Sequence, residues 1–334
     1  AGDEAQFDPG VLTENGRTYL YTGFCAVGDQ TRHGAMCTVL DSDMLTVLEA
    51  PVFVAPSSTT SEGTGFEGHE FFEAPSIRKK DGLYYFIYSS VKYHELCYAT
   101  SKEPTKGFAY QGVVVSGGDL HIDTYKPAEK CGYYTANNHG SMVQIGDDWF
   151  IFYHRHTNGT NYSRQGCFEK LSFAEDGSII QATMTSCCSL APLRGEGEYP
   201  TYIACNLFTE VEATYVPWSG WMDDRFPKIT QTGGDGDKNL GYIANMRNTA
   251  TAGFKYFDCQ GIKRISIRTK GYAKGCMEVR TAWDGPVLGT IPLAFANVWH
   301  DTAADIAIPD GVNALYFTFN GFGHLQFAAF NLMK

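Results

Sequence analysis

Apolar and aromatic residues occur along this chain in short runs that are separated by glycine-rich turns. Long apolar patterns with helical spacing are few. The sequence contains 22 Phe, 20 Tyr and 36 Gly among its 334 residues. Short aromatic runs between glycine turns are typical of β-strands. The pattern therefore predicts a nearly all-β protein, and the length is sufficient for two domains with cores of their own.

A hairpin-like pattern occurs three times. The chain reads FDPGVLTENGRTYLY around Asp8, FFEAPSIRKKDGLYYFIY around Glu73 and NNHGSMVQIGDDWFIFY around His139. Each segment has an ionisable residue near its start, continues as a strand, turns at Asn-Gly, Asp-Gly or Gly-Asp, and returns as an aromatic strand. The spacing is 65 residues from Asp8 to Glu73 and 66 from Glu73 to His139. These segments indicate one structural unit repeated three times.

Each predicted hairpin is followed by a cysteine-containing strand and then by a β-branched strand. The third strands are GAMCTVL, HELCYATS and SRQGCFEKL, and the fourth are VFVA, VVVS and SIIQA. Four antiparallel strands per repeat are typical of a propeller blade, whose first strand lines the central channel. We therefore expect Asp8, Glu73 and His139 to meet near one axis. Because propellers need about four to eight blades, we expect the remaining blades upstream or on a second polypeptide.

The pattern changes near residue 203. Short strands without the repeat follow, and their number and turns predict a β-sandwich, preferably a jelly roll. The segment CCSLAPLRGEGEYP, rich in proline and glycine, indicates the boundary. The predicted domains are a propeller at 1–195, a linker at 196–202 and a sandwich at 203–334.

Charge narrows the range of partners. The formal net charge is −11, which argues against nucleic acid and acidic membrane surfaces because their binding relies on clustered Lys and Arg. A neutral glycan meets no such objection. The ten cysteines form no CxxC pair. They are interpreted as small buried thiols of a reducing, cytoplasmic compartment, with secretion as the alternative.

Four residues are candidates for chemistry. Glycosidic cleavage needs a carboxylic acid and an opposing carboxylate, and Asp8 and Glu73 are carboxylates at matching repeat positions. The apolar neighbours of Glu73 would favour its protonated form, as a general acid needs. Taken singly, Asp8 could instead cap a turn and Glu73 could form a surface ion pair. His139 could ligate an ion, hold a water or be structural, and Arg164 could bind a carboxylate or a sugar hydroxyl or be solvated.

The three repeat segments together resemble glycoside hydrolase family 43, whose members are five-bladed propellers acting chiefly on α-L-arabinofuranosides and β-D-xylosides. The resemblance covers residues 1 to about 195 and matches blades three to five. It implies that Glu73 is the general acid and that Asp8 orients this acid and tunes its pKa. It also implies that His139 holds calcium or water near the axis, that Arg164 contacts substrate, and that the chemistry requires no cofactor.

The same resemblance implies an inverting mechanism in which the general base is an aspartate on the first blade. This sequence begins at what resembles the third blade, so the base is expected from outside this chain. The substrate is expected to be an arabinose- or xylose-containing glycan of the hemicellulose type. A non-catalytic glycan-binding protein and an inactive fragment are the alternatives.

Residues 203–334 resemble carbohydrate-binding module family 6, through the segments GPVLGTIPL, PDGVNALYFTFNG and LQFAAFNL. Such modules stack an aromatic face on a sugar ring. The resemblance makes Tyr242, Trp299 and Asn320 candidates for a sugar site. Alternatively, the sandwich only braces the propeller. Asn331 stands where the family often has an aspartate that helps to hold a structural calcium.

Overall fold

The computed structural model describes residues 4–26, 32–119, 137–158, 162–209, 225–233 and 241–334. These residues form β-strands and short 3-10 turns, with no α-helix among them. Two compact units can be separated. The first comprises Ala1–Ser116, Ala136–His154 and Gly166–Ala182, and the second comprises Gly117–Thr135, Arg155–Gln165 and Thr183–Lys334.

The first repeat forms a four-stranded antiparallel sheet in the order β1-β2-β3-β4. Its strands are β1 (Glu4–Glu14), β2 (Arg17–Ala26), β3 (Gly34–Asp41) and β4 (Val47–Pro56). Asn15 and Gly16 connect β1 to β2 with φ values of 53° and 73°. Positive φ at both central residues defines the tight turn that Asn-Gly favours, so the predicted hairpin is confirmed.

The second repeat forms an equivalent sheet in the order β5-β6-β7-β8. Its strands are β5 (Phe71–Lys80), β6 (Leu83–Ser90), β7 (Leu96–Ser101) and β8 (Ala109–Val115). Asp81 and Gly82 form the same turn, with φ values of 49° and 82°. The first two repeats are therefore complete four-stranded blades.

The third repeat departs from the prediction in its last strand. A three-stranded sheet contains β9 (Ser141–Ile145), β10 (Asp148–His156) and β11 (Arg164–Lys170). The predicted fourth strand instead forms β13 (Ile179–Ile180), which pairs with β12 (Ser172–Phe173). Ala182 forms a parallel bridge with Val115, at the end of β8. The segment thus pairs with β12 of its own repeat and, at Ala182, with the neighbouring blade.

Aromatic side chains fill the core of the first unit. Tyr21, Phe71, Phe86 and Tyr88 are each 0% exposed, and the rings of Phe71 and Tyr88 lie 5.9 Å apart. These residues come from the aromatic strands of the repeats. Burial of large apolar surfaces is the main contribution that holds such sheets together.

The second unit is a β-sandwich. One layer contains β14 (Leu193–Arg194), β16 (Asn206–Phe208), β19 (Thr251–Cys259), β21 (Ala273–Arg280) and β22 (Gly289–Leu293). The other contains β15 (Gly197–Pro200), β17 (Lys228–Gln231), β18 (Gly241–Arg247), β20 (Arg264–Gly271) and β23 (Ala296–Asp305). The long strand β24 (Gly311–Met333) pairs first with one layer and then with the other. Phenylalanines pack between the layers, with the rings of Phe254 and Phe330 4.9 Å apart.

The predicted fold class is confirmed: a partial propeller of about three blades is followed by a β-sandwich. The predicted linker at 196–202 is wrong, because Gly197–Pro200 is strand β15 and pairs with β24. Leu193 and Arg194 also pair with β19 of the sandwich. The proline and glycine residues that suggested a linker lie in and beside short edge strands, where a missing N–H or side chain is tolerated.

The described cysteines are mostly buried. Cys25, Cys37, Cys97, Cys187 and Cys259 are buried free thiols, and Cys276 is a half-buried one. No helix in the described part of the chain is both long and apolar enough to span a bilayer.

Candidate active site

Glu73 lies near the start of β5, where the strand is interrupted. The register between β5 and β6 shifts on both sides of Glu73, and the next residue, Ala74, has φ 66°. Phe71 is fully buried in the core, whereas the Glu73 side chain keeps 18% of its surface exposed. The irregular strand thus anchors its aromatic start and presents the carboxyl group at a partly enclosed surface.

A guanidinium group lies beside the Glu73 carboxylate. Nη2 of Arg32 is 3.4 Å from Oε2 of Glu73. The guanidinium carbon lies 4.4 Å from the ring centre of Phe7 and 4.9 Å from that of Phe72. Cation–π contact with both rings holds Arg32 against the acid.

An imidazole approaches the other oxygen of Glu73. Nδ1 of His94 lies 3.7 Å from Oε1 of Glu73, and the His94 side chain is 14% exposed. The His94 ring also contacts the Phe72 ring edge-on, with centroids 4.9 Å apart. The carboxyl group of Glu73 therefore lies between a permanent cation and a group that can gain or lose a proton near neutral pH.

Asp8 holds the backbone next to Glu73. Its Oδ2 accepts a hydrogen bond of 3.3 Å from the N–H of Ala74. Asp8 lies at a register shift of β1 and has φ 52°. Gly10 allows β1 and β5 to approach closely, since a Cβ at this position would lie 2.4 Å from the carbonyl oxygen of Pro75. Asp8 and Ala74 are hydrogen-bonded to each other, and both have φ in the left-handed region. Such a strained backbone is of the kind that occurs at functional sites.

Several buried polar atoms in the described part of the first unit have no hydrogen-bond partner. They are Nε of Arg32, Oγ of Ser89 and both side-chain polar atoms of Asn138. Ser89 is opposite Glu73 in the β5-β6 ladder, and opposite residues of antiparallel strands share a face. Buried polar groups are normally satisfied by protein, water or ligand. Hydroxyl groups of a sugar, or ordered waters, could satisfy these atoms.

His139 lies beside His154, with ring centroids 6.5 Å apart, and it is exposed. Calcium prefers oxygen ligands, so an imidazole is a poor direct ligand for it. The neighbouring Asn138 is 3% exposed and offers the unpaired amide oxygen described above. A calcium ion or a water at this position therefore stays a prediction.

Another group in the described part of the first unit combines metal-ligating atoms: His69, Glu95 and Cys97. Nδ1 of His69 is 2.7 Å from Oε1 of Glu95, and Sγ of Cys97 is 3.8 Å from each of these atoms. Burial raises the pKa of the Cys97 thiol well above its usual range. The group is thus a hydrogen-bonded His-Glu pair beside a neutral thiol.

Arg164 and the candidates of the sandwich lie in the second unit. Arg164 lines a cavity with Tyr162 and Tyr202. Tyr242 and Trp299 contact each other, with ring centroids 5.4 Å apart, and Nζ of Lys270 lies 4.9 Å from the Trp299 ring centre. Asn320 of β24 pairs with Cys276 of the neighbouring strand β21 in the same layer. Two of the three candidates in the sandwich, Tyr242 and Trp299, are therefore in contact.

Sequence reasoning missed Arg32 and His94. Both lie between the second and third strands of their repeat, shortly before the cysteines of those third strands at Cys37 and Cys97. Arg164, at the start of β11, likewise precedes Cys167 by three residues. A basic residue shortly before the third-strand cysteine in all three repeats is a signal that alignment of the repeats to one another could have revealed.

The profile of glycosyl hydrolases family 43 matches residues 1–179. A xylosidase/arabinosidase of Thermoclostridium stercorarium is 64% identical over 333 residues, which cover 99% of this chain and 70% of that protein. The chain belongs to glycosyl hydrolase family 43. The family match contains Asp8, Glu73, Arg32 and His94.

Two solved structures show weaker likeness. A family 43 arabinoxylan arabinofuranohydrolase from Bacillus subtilis, in complex with cellotetraose, has 20% identity and a TM-score of 0.46, covering 98% of this chain and 67% of that one. A family 6 carbohydrate-binding module from Clostridium stercorarium, in complex with cellobiose, has 16% identity and a TM-score of 0.35, covering 43% and 98%.

Proposed function

We propose that this family 43 chain contributes the general acid of an inverting glycoside hydrolase that removes α-L-arabinofuranosyl or β-D-xylosyl residues from hemicellulose-type glycans. The observation that carries the proposal is the setting of Glu73. Its side chain is 18% exposed and lies between Arg32 and His94. The name of the xylosidase/arabinosidase relative supports this choice of sugars.

In this proposal the Glu73 carboxyl protonates the glycosidic oxygen as the bond to the anomeric carbon breaks. Proton transfer leaves a carboxylate, and the adjacent Arg32 guanidinium stabilises that charge as it forms. The rings of Phe7 and Phe72, which both contact Arg32, keep it in place during this step. Arg32 therefore acts on the reaction through Glu73.

Asp8 has a positioning role in this proposal. Because its carboxylate accepts the Ala74 N–H, it fixes the backbone from which Glu73 extends. An inverting reaction needs a second carboxylate about 6.5–9.5 Å from the acid, with a water between them. We assign that base to a part of the assembly outside these 334 residues, either a further segment or a second polypeptide.

The sandwich is assigned a supporting role in glycan binding. Tyr242 and Trp299 form an aromatic pair, and aromatic rings of this kind bind sugar faces by stacking. Lys270 lies over the Trp299 ring. A sugar would therefore stack on the opposite face of the indole or displace the lysine.

Hydrolysis and calorimetry together test the proposal. The complete assembly, with the segment or second polypeptide that supplies the base, would be incubated with arabinoxylan and with aryl α-L-arabinofuranoside and β-D-xyloside, while calorimetry with xylo- and arabino-oligosaccharides measures binding. Release of arabinose or xylose, with the product first appearing in the anomeric form opposite to that of the substrate, supports an inverting hydrolase. Binding without turnover supports the alternative of a non-catalytic glycan-binding protein.

A further inference from the structure

A cavity of about 480 Å³ lies within the second unit. Its lining combines tyrosines, side-chain amides and hydroxyls with a single arginine. The lining residues are Thr157, Asn158, Tyr162, Arg164, Gln165, Tyr202, Ile229, Thr230, Gln231 and Gly241. We call this group the tyrosine cleft. It shares no lining residue with the Tyr242–Trp299 pair.

One wall of the cleft is held by a buried arginine. Arg155 is 4% exposed, and its guanidinium donates hydrogen bonds to the carbonyl oxygens of Tyr202 at 2.9 Å and Ala204 at 2.6 Å. It also donates to Oε1 of Gln165 at 2.9 Å. Nε2 of Gln165 in turn donates to the Tyr202 carbonyl at 3.1 Å. Arg155 thus fixes both Tyr202 and Gln165 before any ligand binds.

The Tyr202 ring lies against Gly241. A Cβ at position 241 would be 2.7 Å from Cδ1 of Tyr202, so any larger residue would displace the ring. Tyr202 nevertheless keeps 40% of its surface exposed. The ring is therefore fixed on one side and accessible on another, which is the arrangement that a stacking platform needs.

In the opposite wall, strand β17 contacts Asn158. The N–H of Asn158 donates to the carbonyl oxygen of Ile229 at 2.8 Å, and the Thr230 hydroxyl donates to the side-chain oxygen of Asn158. Tyr162 is 85% exposed at the rim, and its carbonyl oxygen accepts a bond of 3.1 Å from Arg164. The wall is built by specific hydrogen bonds, and the second tyrosine extends from it.

We propose that the tyrosine cleft binds a neutral oligosaccharide. Small-ligand sites commonly have volumes of about 300–1,000 Å³ and combine aromatic rings with a few fixed polar groups. The planar amide of Gln231 matches paired sugar hydroxyls, and tyrosines match the apolar face of a sugar ring. A single arginine among the lining residues does not match a polyanion.

Affinity measurements with xylohexaose and soluble arabinoxylan test this inference. The choice of these probes rests on the proposed function. All variants carry Glu73→Gln so that the probes are not cleaved. Tyr162→Ala and Gln231→Ala should each weaken binding by about 5- to 10-fold, the loss of one stacked ring or one amide. Gly241→Ala should weaken it by displacing the Tyr202 ring.

Two control variants separate this cleft from other surfaces. Tyr272 is a 62% exposed tyrosine of the same unit, and Tyr272→Ala should leave affinity unchanged. In a protein that carries Trp299→Ala, the probes should still bind at the cleft, and adding Tyr162→Ala should still weaken that binding. The inference is overturned if no probe binds, or if Trp299→Ala abolishes all binding while the three cleft variants bind normally. Binding that depends on the cleft, together with no hydrolysis by the complete assembly that retains Glu73, would overturn the proposed hydrolase and leave the inference about the cleft intact.

Discussion

The carboxylate of Asp8 accepts the backbone N–H of Ala74, although 66 positions separate the two residues in the sequence. This bond joins the first strands of two adjacent blades. Ala74 is fully buried and has a left-handed backbone at φ 66°, which costs a non-glycine residue about 1–2 kcal/mol. Asp8 thus stabilises an unfavourable conformation directly beside Glu73.

Two substitutions at Asp8 separate its charge from its hydrogen bond. Asp8→Ala should destabilise the protein by about 1–3 kcal/mol, because it leaves a buried donor unpaired. Asp8→Asn keeps an acceptor oxygen and tolerates the φ of 52° at this position. It should therefore preserve the melting temperature while reducing turnover by about 10-fold or more. Equal turnover in Asp8→Asn and the unaltered protein would show that the charge has no role.

Removing the guanidinium beside Glu73 should change the pH dependence of activity. A positive charge 3.4 Å away favours the ionised carboxyl, whereas a general acid works in its protonated form. Arg32→Met should therefore move the basic limb of the pH–activity profile to higher pH and reduce turnover of glycosides with poor leaving groups. Arg17→Met is the matched control, because Arg17 forms an exposed pair with Glu49. Identical profiles for the two variants would contradict the role of Arg32.

The ion pair between Glu14 of β1 and Lys79 of β5 should contribute less to stability in acid. Hydrogen bonds from Lys79 and then Tyr84 lower the pKa of Glu14. A lowered pKa in the folded state stabilises the protein above the unfolded-state pKa, and this contribution disappears as pH falls through the folded value. Glu14→Gln should lower the melting temperature by about 1–3 °C at neutral pH, and this difference should shrink progressively as pH falls below about 4.

The control for Glu14 is Glu49→Gln, which removes an exposed carboxylate paired with Arg17. It should leave the melting temperature unchanged at both pH values. A Glu14→Gln difference that persists undiminished in acid would show that packing, and not the ionised carboxylate, makes the contribution.

The buried thiols should not react rapidly with thiol reagents in the folded protein. Burial raises the pKa of Cys37 to about 12, and the side chain is 0% exposed. At pH 8 only about one thiolate in 10⁴ is then present. Cys37→Ser should leave the number of rapidly reacting thiols unchanged in the native state and reduce it by one after unfolding in urea. Loss of a rapidly reacting native thiol would contradict this burial.

Much of the first unit could be predicted because its features are local. Asn15-Gly16 and Asp81-Gly82 determine their turns through backbone preference alone, and the positions of Asp8 and Glu73 follow from the repeat. The fourth strand of the third repeat could not be predicted in this way. Its residues have strand character, but pairing of Ala182 with Val115 depends on where the neighbouring blade lies.

The surroundings of Glu73 also depend on contacts that are distant in sequence. Arg32 is 41 positions from Glu73 and is positioned by aromatic residues of two different strands. Sequence patterns indicate which residues are ionisable, but the partner of each depends on the close approach of β1 and β5 at Gly10. The start of the sandwich could not be predicted for a related reason. Gly197–Pro200 is too short to show the alternating pattern of a strand, and its pairing with β24 is visible only in the structure.

The leaving-group dependence of Glu73→Gln, measured in the complete assembly that contains the base, is the most direct test of the central claim, that Glu73 donates the proton. Turnover of arabinoxylan, whose leaving group needs protonation, should fall by about 10²–10⁴-fold. Turnover of a p-nitrophenyl glycoside, whose leaving group departs without a proton, should fall far less. Equal losses on the two substrates, or full activity on arabinoxylan, would contradict the assignment of Glu73 as the general acid.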